Sequence, residues 1–215
     1  MYVPATPVPP APALAPVGVV STAPPTIVTP SHTALKVRSE QLNVLENHRA
    51  SVTGSLLEGS RPAVGGRTVA LQALGAHGWR TLALARTGSR GRFRLTYMPR
   101  RLGSRMLRLS FRGDAYARAT RRRLGRLNVF RLAGASWYGV GGGLACGGEL
   151  TSSTLGVANK TLPCGTLVTL RYAGHTVRVP VIDRGPYVEG REFDLTEATK
   201  RALGFGDTGQ IWSTG

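Results

Sequence analysis

The chain has 215 residues, a hydrophobic fraction of 41% and a formal net charge of +17. This length allows two small domains, or one domain with a long appendage, and the hydrophobic fraction is sufficient for ordinary buried cores. The apolar run at residues 17–20 is far too short to span a bilayer, and the two cysteines and four scattered histidines match no zinc motif. We therefore expect no transmembrane segment, no metal site and no cofactor.

Residues 1–34 are rich in Pro, Ala, Val and Thr and contain nine of the fourteen prolines. Proline removes a backbone donor and fixes φ, so neither a helix nor a strand can propagate through such a segment. We predict a disordered leader in which a secretion signal is incomplete or absent, because the basic start of such a signal is missing.

The positive charge is concentrated in the middle of the chain. No charged side chain precedes Lys36, residues 36–131 contain 21 basic and 4 acidic side chains, and residues 132–215 contain 7 of each. Such a basic segment attracts polyanions through long-range steering and counterion release. Composition alone does not choose among nucleic acid, anionic wall polymers, lipid headgroups and the carboxylates of peptidoglycan stems.

Residues 35–131 show the period-two alternation of β-strands. Residues 92–97 and 107–112 each alternate apolar with polar side chains, and a turn-rich segment joins two further strands at 68–74 and 79–85. About six or seven short strands in this region fit a β-sandwich of immunoglobulin-like type. There is no cysteine pair here, so a disulfide-bonded antibody-type domain is excluded.

Three consecutive arginines at residues 121–123 lie among alternating β residues. This context favours a solvated strand or linker over a nucleic-acid-binding patch. Arginines on the solvent side of the sandwich would form a basic sheet face. Its two open interpretations are a docking surface for an anionic wall polymer and a solvated surface with no specific ligand.

Residues 132–215 contain a series of short apolar strands that end in Gly or Pro turns, with acidic residues where strands end. In chain order the motifs are Ala-Ser-Trp-Tyr-Gly (135–139), Val-Ala-Asn-Lys-Thr-Leu-Pro-Cys-Gly-Thr (157–166), Val-Ile-Asp-Arg-Gly-Pro-Tyr (181–187) and Glu-Phe-Asp-Leu-Thr (192–196). A stripe of Leu195, Ala198 and Ala202 predicts one short helix that ends at Gly204.

The two cysteines, Cys146 and Cys164, both lie in this last region, 18 residues apart. We predict that they form one disulfide, which would contribute about 3 kcal/mol in the entropic account and would indicate an oxidising compartment outside the cytoplasm. The alternative is a pair of buried free thiols.

The four motifs, in this order, closely resemble the RlpA-like double-psi β-barrel family of septal-ring lytic transglycosylases, which is distantly similar to expansins. The resemblance covers about the last 80 residues. It implies a mainly β chain in which an Ig-like β-sandwich (35–131) precedes a six-stranded double-psi β-barrel (132–215) with one short helix. It also implies peptidoglycan glycan strands as the partner and an extracellular or cell-wall location; nucleic acid is not expected.

A lytic transglycosylase needs an acid that protonates the glycosidic oxygen and then, as a base, takes the proton of the muramic acid 6-hydroxyl. The resemblance makes Asp194, Asp183 and Glu149 the catalytic candidates. Each also has a structural interpretation. Asp194 could cap a helix with Glu197 in a capping box, Asp183 could start a turn and pair with Arg184, and Glu149 could be a solvated loop residue.

Four further residues are candidates for substrate binding: Tyr138, Asn159, Arg184 and Tyr187. Trp137, next to Tyr138, is predicted to pack in the core. Asn159 stands where many family members have His, and an amide hydrogen-bonds but cannot titrate. Two functions therefore stay open for the barrel, a lytic transglycosylase and a non-catalytic, expansin-like module that binds peptidoglycan or another polysaccharide. A third possibility is that the acids are only structural and that the basic sandwich recruits the protein to an anionic polymer.

Overall fold

The computed structural model describes residues 1–2, 29–63, 65–139 and 141–215. Most of the predicted leader lies outside these residues, and the first strand begins at Thr33, so the last two residues of the predicted leader belong to it. The described residues are mainly β, as predicted. The strands are β1 (Thr33–Gln41), β2 (Asn43–Leu45), β3 (Ala50–Glu58), β4 (Arg61–Pro62), β5 (Thr68–Gly75), β6 (Gly78–Arg86), β7 (Arg92–Tyr97), β8 (Gly103–Phe111), β9 (Thr120–Tyr138), β10 (Val157–Ala158), β11 (Leu167–Tyr172), β12 (His175–Asp183), β13 (Phe193–Thr196) and β14 (Gly209–Ser213).

Strands β1 to β8 and the first part of β9 form the N-terminal lobe. In one sheet β3 pairs with β1, β4 and β7, and in the other the order is β2, β9, β8, β5, β6. The apolar residues of both sheets form one core, which contains Val52, Leu95, Leu71 and Leu109. The predicted strands of this lobe are confirmed, including the β5–β6 hairpin; the immunoglobulin-like assignment stays a prediction.

Strand β9 has 19 residues and belongs to both halves of the described structure. Its first part pairs with β8, and its last part pairs with β14 and β13. Phe130, near the change of partner, is fully buried and lies 5.7 Å from Trp212 between ring centroids. The hydroxyls of Ser104 and Thr169 add a hydrogen bond of 2.8 Å between the halves. The predicted boundary after residue 131 therefore falls inside a continuous strand.

The C-terminal strands close into a six-stranded barrel. Their order is β13, β10, β12, β11, β14, β9, and β9 also pairs with β13, which completes the ring. The pairs β10–β12 and β13–β9 are parallel, and the others are antiparallel. A second core fills the barrel, with Phe193, Leu170, Val181 and Ile211 fully or almost fully buried. The predicted six-stranded barrel with one short helix is confirmed.

The one α-helix among the described residues, α1 (Glu197–Leu203), begins after Thr196 and ends at Gly204. Gly204 adopts a left-handed conformation with φ of 63°, which a Cβ would disfavour, and its N–H donates to Arg201 O. The predicted end of the helix is confirmed. No helix in the described ranges is long and apolar enough to cross a membrane.

The buried face of α1 differs from the predicted stripe. Ala198, Thr199 and Leu203 are buried, whereas Ala202 is exposed. Leu195 reaches the same core from strand β13, one residue before the helix cap. The predicted helical stripe was therefore wrong, because it included Leu195, which lies in a strand and does not follow the helical period.

The capping role considered for Asp194 is also wrong. The N-cap is Thr196, whose Oγ1 accepts a hydrogen bond of 3.3 Å from Thr199 N, and Asp194 lies in β13. Thr196 Oγ1 in turn donates to Thr199 Oγ1 at 2.9 Å. The helix N-terminus therefore leaves the Asp194 carboxylate available for another role.

This cap can be tested by replacing Thr196 with Val. The change keeps the volume of the side chain but removes the capping oxygen, so we expect the free energy of unfolding to fall by about 1–2 kcal/mol. Urea denaturation measures it. Asp194→Asn is the matched control and should change the stability by less than about 0.5 kcal/mol. A larger loss for Asp194→Asn than for Thr196→Val would contradict this assignment of the cap.

Candidate functional site

Four strands of the barrel bring two of the three predicted acids to one region of its surface. Ser136 of β9 is registered with Asp194 of β13, and Asp194 is registered with Ala158 of β10. On its other side, Ala158 is the partner of Asp183 at the end of β12. The two aspartates therefore flank one strand, with about 10 Å between their Cα atoms from two strand spacings.

The alternation of β13 directs the side chain of Asp194 away from the core. Phe193 and Leu195, on either side of Asp194, are fully buried in the barrel. Because successive side chains of a strand point to opposite faces, Asp194 points outward. On β9 the same rule places Ser136 and Tyr138 on one face, while Trp137 packs against the barrel core as predicted.

In each aspartate, one carboxylate oxygen accepts a hydrogen bond from the protein. The other carboxylate oxygen has no hydrogen bond to another described residue. Asp194 Oδ1 accepts a short hydrogen bond from the hydroxyl of Ser136. Asp183 Oδ1 accepts backbone N–H groups from Ala145 at 2.9 Å and Arg184 at 2.8 Å. Both side chains are half-buried. The second oxygen of each carboxylate is therefore available to a ligand.

Tyr138 completes this group of polar side chains. Its hydroxyl is buried and has no hydrogen-bond partner among the described residues. Burial, reinforced by the charges of Asp183 and Asp194, raises the pKa of the Tyr138 phenol. The phenol therefore stays protonated at neutral pH, and it can donate a hydrogen bond to a ligand that lies beside the two carboxylates.

The disulfide between Cys146 and Cys164 is present, with its Cα atoms 5.6 Å apart, so this prediction is confirmed. It ties the loop that contains Ala145 to the loop before β11. Arg184 reinforces the second loop, since its guanidinium donates to Leu162 O at 2.9 Å and to Cys164 Sγ at 3.1 Å. These contacts hold in place the backbone that surrounds Asp183.

Asn159 is buried, and its side chain organises the same loop. Its Oδ1 accepts the N–H groups of Thr161 at 3.0 Å and Leu162 at 2.8 Å, and its Nδ2 donates to Glu192 O at 2.9 Å. The Arg184 guanidinium also donates to Asn159 O at 3.0 Å. Apart from a 3.5 Å contact between Asn159 Oδ1 and the Thr161 hydroxyl, the described side-chain hydrogen bonds of Asn159 and Arg184 are to backbone groups and one disulfide sulfur.

Two other candidates are exposed in loops. Glu149 is exposed in the loop 141–150, and its carboxylate has no hydrogen bond to another described residue. Tyr187 is 81% exposed, four residues after Asp183. Its open ring is suited to stack on a sugar. No group of three or more His, Cys, Asp or Glu residues in the described ranges is placed to hold a metal ion.

Two groups in this region were not anticipated from the sequence, namely the Ser136 hydroxyl and the Ala145 N–H. Ser136 could have been found, since it stands two residues before Tyr138 in a strand and therefore shares its face. The Ala145 N–H carries no signal in the sequence, because any residue except proline at that position would supply the same donor.

The comparison with known proteins covers the same part of the chain. A family model described as "Lytic transglycolase" matches residues 132–212. This match falls on the closed ring of six strands and on both aspartates. Residues 132–212 therefore form an RlpA-like double-psi β-barrel.

Three curated relatives of this RlpA-like barrel are named as peptidoglycan transglycosylases. A probable endolytic peptidoglycan transglycosylase RlpA of Synechocystis sp. is 40% identical over 80 residues, 35% of this chain and 25% of the relative. That of Aquifex aeolicus is 41% identical over 75 residues, 33% of each chain. The endolytic peptidoglycan transglycosylase RlpA of Pseudomonas aeruginosa is 37% identical over 87 residues, 38% of this chain and 26% of the relative.

The chain thus spans between a quarter and a third of the length of these relatives. Among solved structures, the Streptomyces papain inhibitor SPI aligns with 39% of this chain and 91% of its own at 25% identity. Its TM-score is 0.33, and we draw no conclusion from that alignment.

Proposed function

We propose that the chain acts in the cell envelope, where its RlpA-like barrel binds peptidoglycan glycan strands and cleaves them as a lytic transglycosylase that leaves 1,6-anhydro-muramyl ends. The observation that carries the proposal is the pair of aspartates on either side of Ala158, with the buried Tyr138 hydroxyl beside them. The names of the relatives support the choice of peptidoglycan as the substrate.

Asp194 is the proposed proton donor and acceptor. The reaction needs one group that gives a proton to the glycosidic oxygen and then takes one from the 6-hydroxyl, which closes the anhydro ring without water. Asp194 is hydrogen-bonded to Ser136, whose hydroxyl can donate or accept. This partner can therefore accompany either form of the carboxyl group, and the second oxygen is free to face the glycan.

Asp183 is the proposed stabiliser of positive charge. Its Oδ1 is held by two backbone N–H groups, an arrangement suited to an oxygen that bears negative charge. The transition state of glycoside cleavage resembles an oxocarbenium ion, and a fixed carboxylate lowers its energy. The Tyr138 phenol can hydrogen-bond a substituent of the bound sugar, and Tyr187 can stack on the next ring.

The disulfide supports a location outside the cytoplasm, because reducing compartments do not maintain such bonds. The proposed location is therefore the extracellular or periplasmic side of the cell envelope. Peptidoglycan is found there.

The test uses the full oxidised chain with purified sacculi and, separately, with denuded glycan strands. We expect 1,6-anhydro-muramyl products in the soluble fraction by mass spectrometry, and no products of hydrolysis. Sacculus binding measured by co-sedimentation, together with the absence of products from both substrates, would overturn the enzymatic proposal.

That outcome would support the second candidate, a non-catalytic expansin-like module that binds a polysaccharide. The observation that favours it is Asn159, whose amide cannot titrate and instead binds three backbone groups of the protein. In this case Asp183 and Asp194 would serve as hydrogen-bond acceptors for sugar hydroxyls. Their replacement by Asn would then weaken binding without any change in product.

Tyr138→Phe is expected to separate stability from activity. Removal of a buried hydroxyl without a partner should raise the free energy of unfolding by about 1 kcal/mol, while loss of its hydrogen bond to the ligand should lower turnover about tenfold. Urea denaturation and product quantification measure the two effects. Tyr172→Phe, also in the barrel, is the control and should leave turnover unchanged. A loss of stability in the Tyr138→Phe variant would contradict the absence of a hydrogen-bond partner for this hydroxyl among the described residues.

A further inference from the structure

A second candidate site lies in the N-terminal lobe, far along the chain from the aspartate pair. A cavity of about 780 Å³ opens between the turn of the β5–β6 hairpin, residues 75–78, and the segment 98–101 that joins β7 to β8. All described residues that line it belong to the N-terminal lobe. Its volume is in the range of pockets that hold small ligands or single units of a polymer.

The inner wall of the cavity is apolar. Ala73, Leu127 and Val129 are core residues at its base, and Leu82 and Tyr97 are partly buried beside them. At the mouth, Leu74 and Met98 are 43% and 46% exposed. A ligand that fills this space therefore needs a body with apolar C–H surface, such as a sugar ring or a polyol chain.

Four arginines surround this apolar wall: Arg80, Arg100, Arg101 and Arg105. All four are exposed. None of the described residues that line the cavity is acidic, and none of the four guanidinium groups has a hydrogen bond or ion pair with another described residue. Other arginines of this chain are engaged, for example Arg67 with Asp114 and Arg131 with Glu192. The cavity thus combines an apolar wall with four uncompensated cations.

We propose that this cavity binds one or two units of a phosphodiester-linked sugar or polyol polymer of the cell envelope. A guanidinium offers a planar set of donors that matches phosphate oxygens, and four such groups can contact successive phosphates of one chain. The apolar wall covers the C–H surface of the unit between them. The charge complementarity and the concave shape together distinguish this site from the rest of the basic surface.

Nucleic acid, which is also a sugar–phosphate chain, fits the cavity less well. Proteins that bind single strands stack successive bases on several aromatic side chains. Tyr97 is the only Phe, Tyr or Trp among the described residues that line the cavity, and it is partly buried. The site therefore recognises the phosphate and the polyol rather than a base.

The site would hold the chain on an anionic wall polymer, and it does not depend on the activity of the barrel. The test measures binding of the full chain to immobilised poly(glycerol phosphate) at about 150 mM salt, where weak surface attraction is largely screened. Arg100→Gln/Arg101→Gln removes two cations at the cavity. Arg92→Gln/Arg94→Gln removes two exposed cations from β7 and is the charge-matched control.

We expect the cavity variant to bind about tenfold more weakly and the β7 variant to stay within about twofold of the unaltered chain. Equal losses for the two variants would show that net charge alone attracts the polymer and would overturn the proposal. A third variant, Ala76→Trp, fills the mouth without a change in charge and should also weaken binding about tenfold.

Unaltered binding by Ala76→Trp would exclude the cavity as the site.

Two further polymers define the ligand class at the same salt concentration. Tighter binding of single-stranded DNA or of polygalacturonate than of poly(glycerol phosphate) would overturn the assignment of the ligand as a polyol phosphate. None of these experiments measures glycan cleavage. A result that overturns the proposed polymer site is therefore distinct from a result that overturns the proposed transglycosylase activity.

Discussion

Asp194→Asn is expected to lower the rate of anhydro-product formation by about 10²–10⁴-fold while sacculus binding is retained. The amide has the same shape and can still accept the hydrogen bond from Ser136, so the local structure should persist. It cannot supply a proton to the glycosidic oxygen or remove one from the 6-hydroxyl, and general acid–base catalysis contributes a factor of this size. The measurement is the initial rate of soluble anhydro-muramyl release, by mass spectrometry.

Glu197→Gln is the control for this experiment. It makes the same chemical change on the surface of α1, where Glu197 pairs with Arg201, and it should leave the rate within about twofold. A rate for Asp194→Asn within about threefold of the unaltered chain would contradict its assignment as the proton donor. If Asp183→Asn alone abolished the products, the proposed roles of the two aspartates would be reversed.

The double variant Cys146→Ser/Cys164→Ser is expected to lower the free energy of unfolding by about 3 kcal/mol. The disulfide closes a loop with a sequence separation of 18, and its removal frees that loop in the unfolded chain. Urea denaturation followed by tryptophan fluorescence measures the change, since Trp137 and Trp212 both lie in barrel strands.

Reduction provides the control for the disulfide. A reducing agent should lower the stability of the unaltered chain by the same amount and should not affect the double variant. We also expect a loss of transglycosylase activity, because the freed loop no longer holds the Ala145 N–H against Asp183. A stability change below about 1 kcal/mol, or a further loss when the double variant is reduced, would contradict this account.

The features that the sequence determined are those with a local physical cause. Alternation of apolar and polar residues predicted the strands of the N-terminal lobe, because side chains of a strand point to alternate faces. Gly204 predicted the end of α1, because its left-handed conformation excludes most residues with a Cβ. The barrel was implied by the resemblance of the four motifs to a known family, and the two cysteines predicted the disulfide.

Local signals were misleading where a strand passes directly into a helix. Leu195 has the spacing of a helical residue, and Asp194 has the residue type of an N-cap, yet both lie in β13. Pairing of β13 with β9 and β10 keeps these residues extended, so the helix starts only after Thr196. The tertiary pairing overrides the local preference.

The candidate site itself was decided by the tertiary structure. Ser136, Ala158, Asp183 and Asp194 are spread over almost 60 residues of the chain, and only the pairing of β9, β13, β10 and β12 brings them into one row. The register between strands distant in sequence depends on closure of the whole barrel, so no local pattern records it. By itself, the sequence determined which polar groups are available and on which strand ends they lie. The closed barrel decided which of them meet, because each strand of the ring has two fixed neighbours in this strand order.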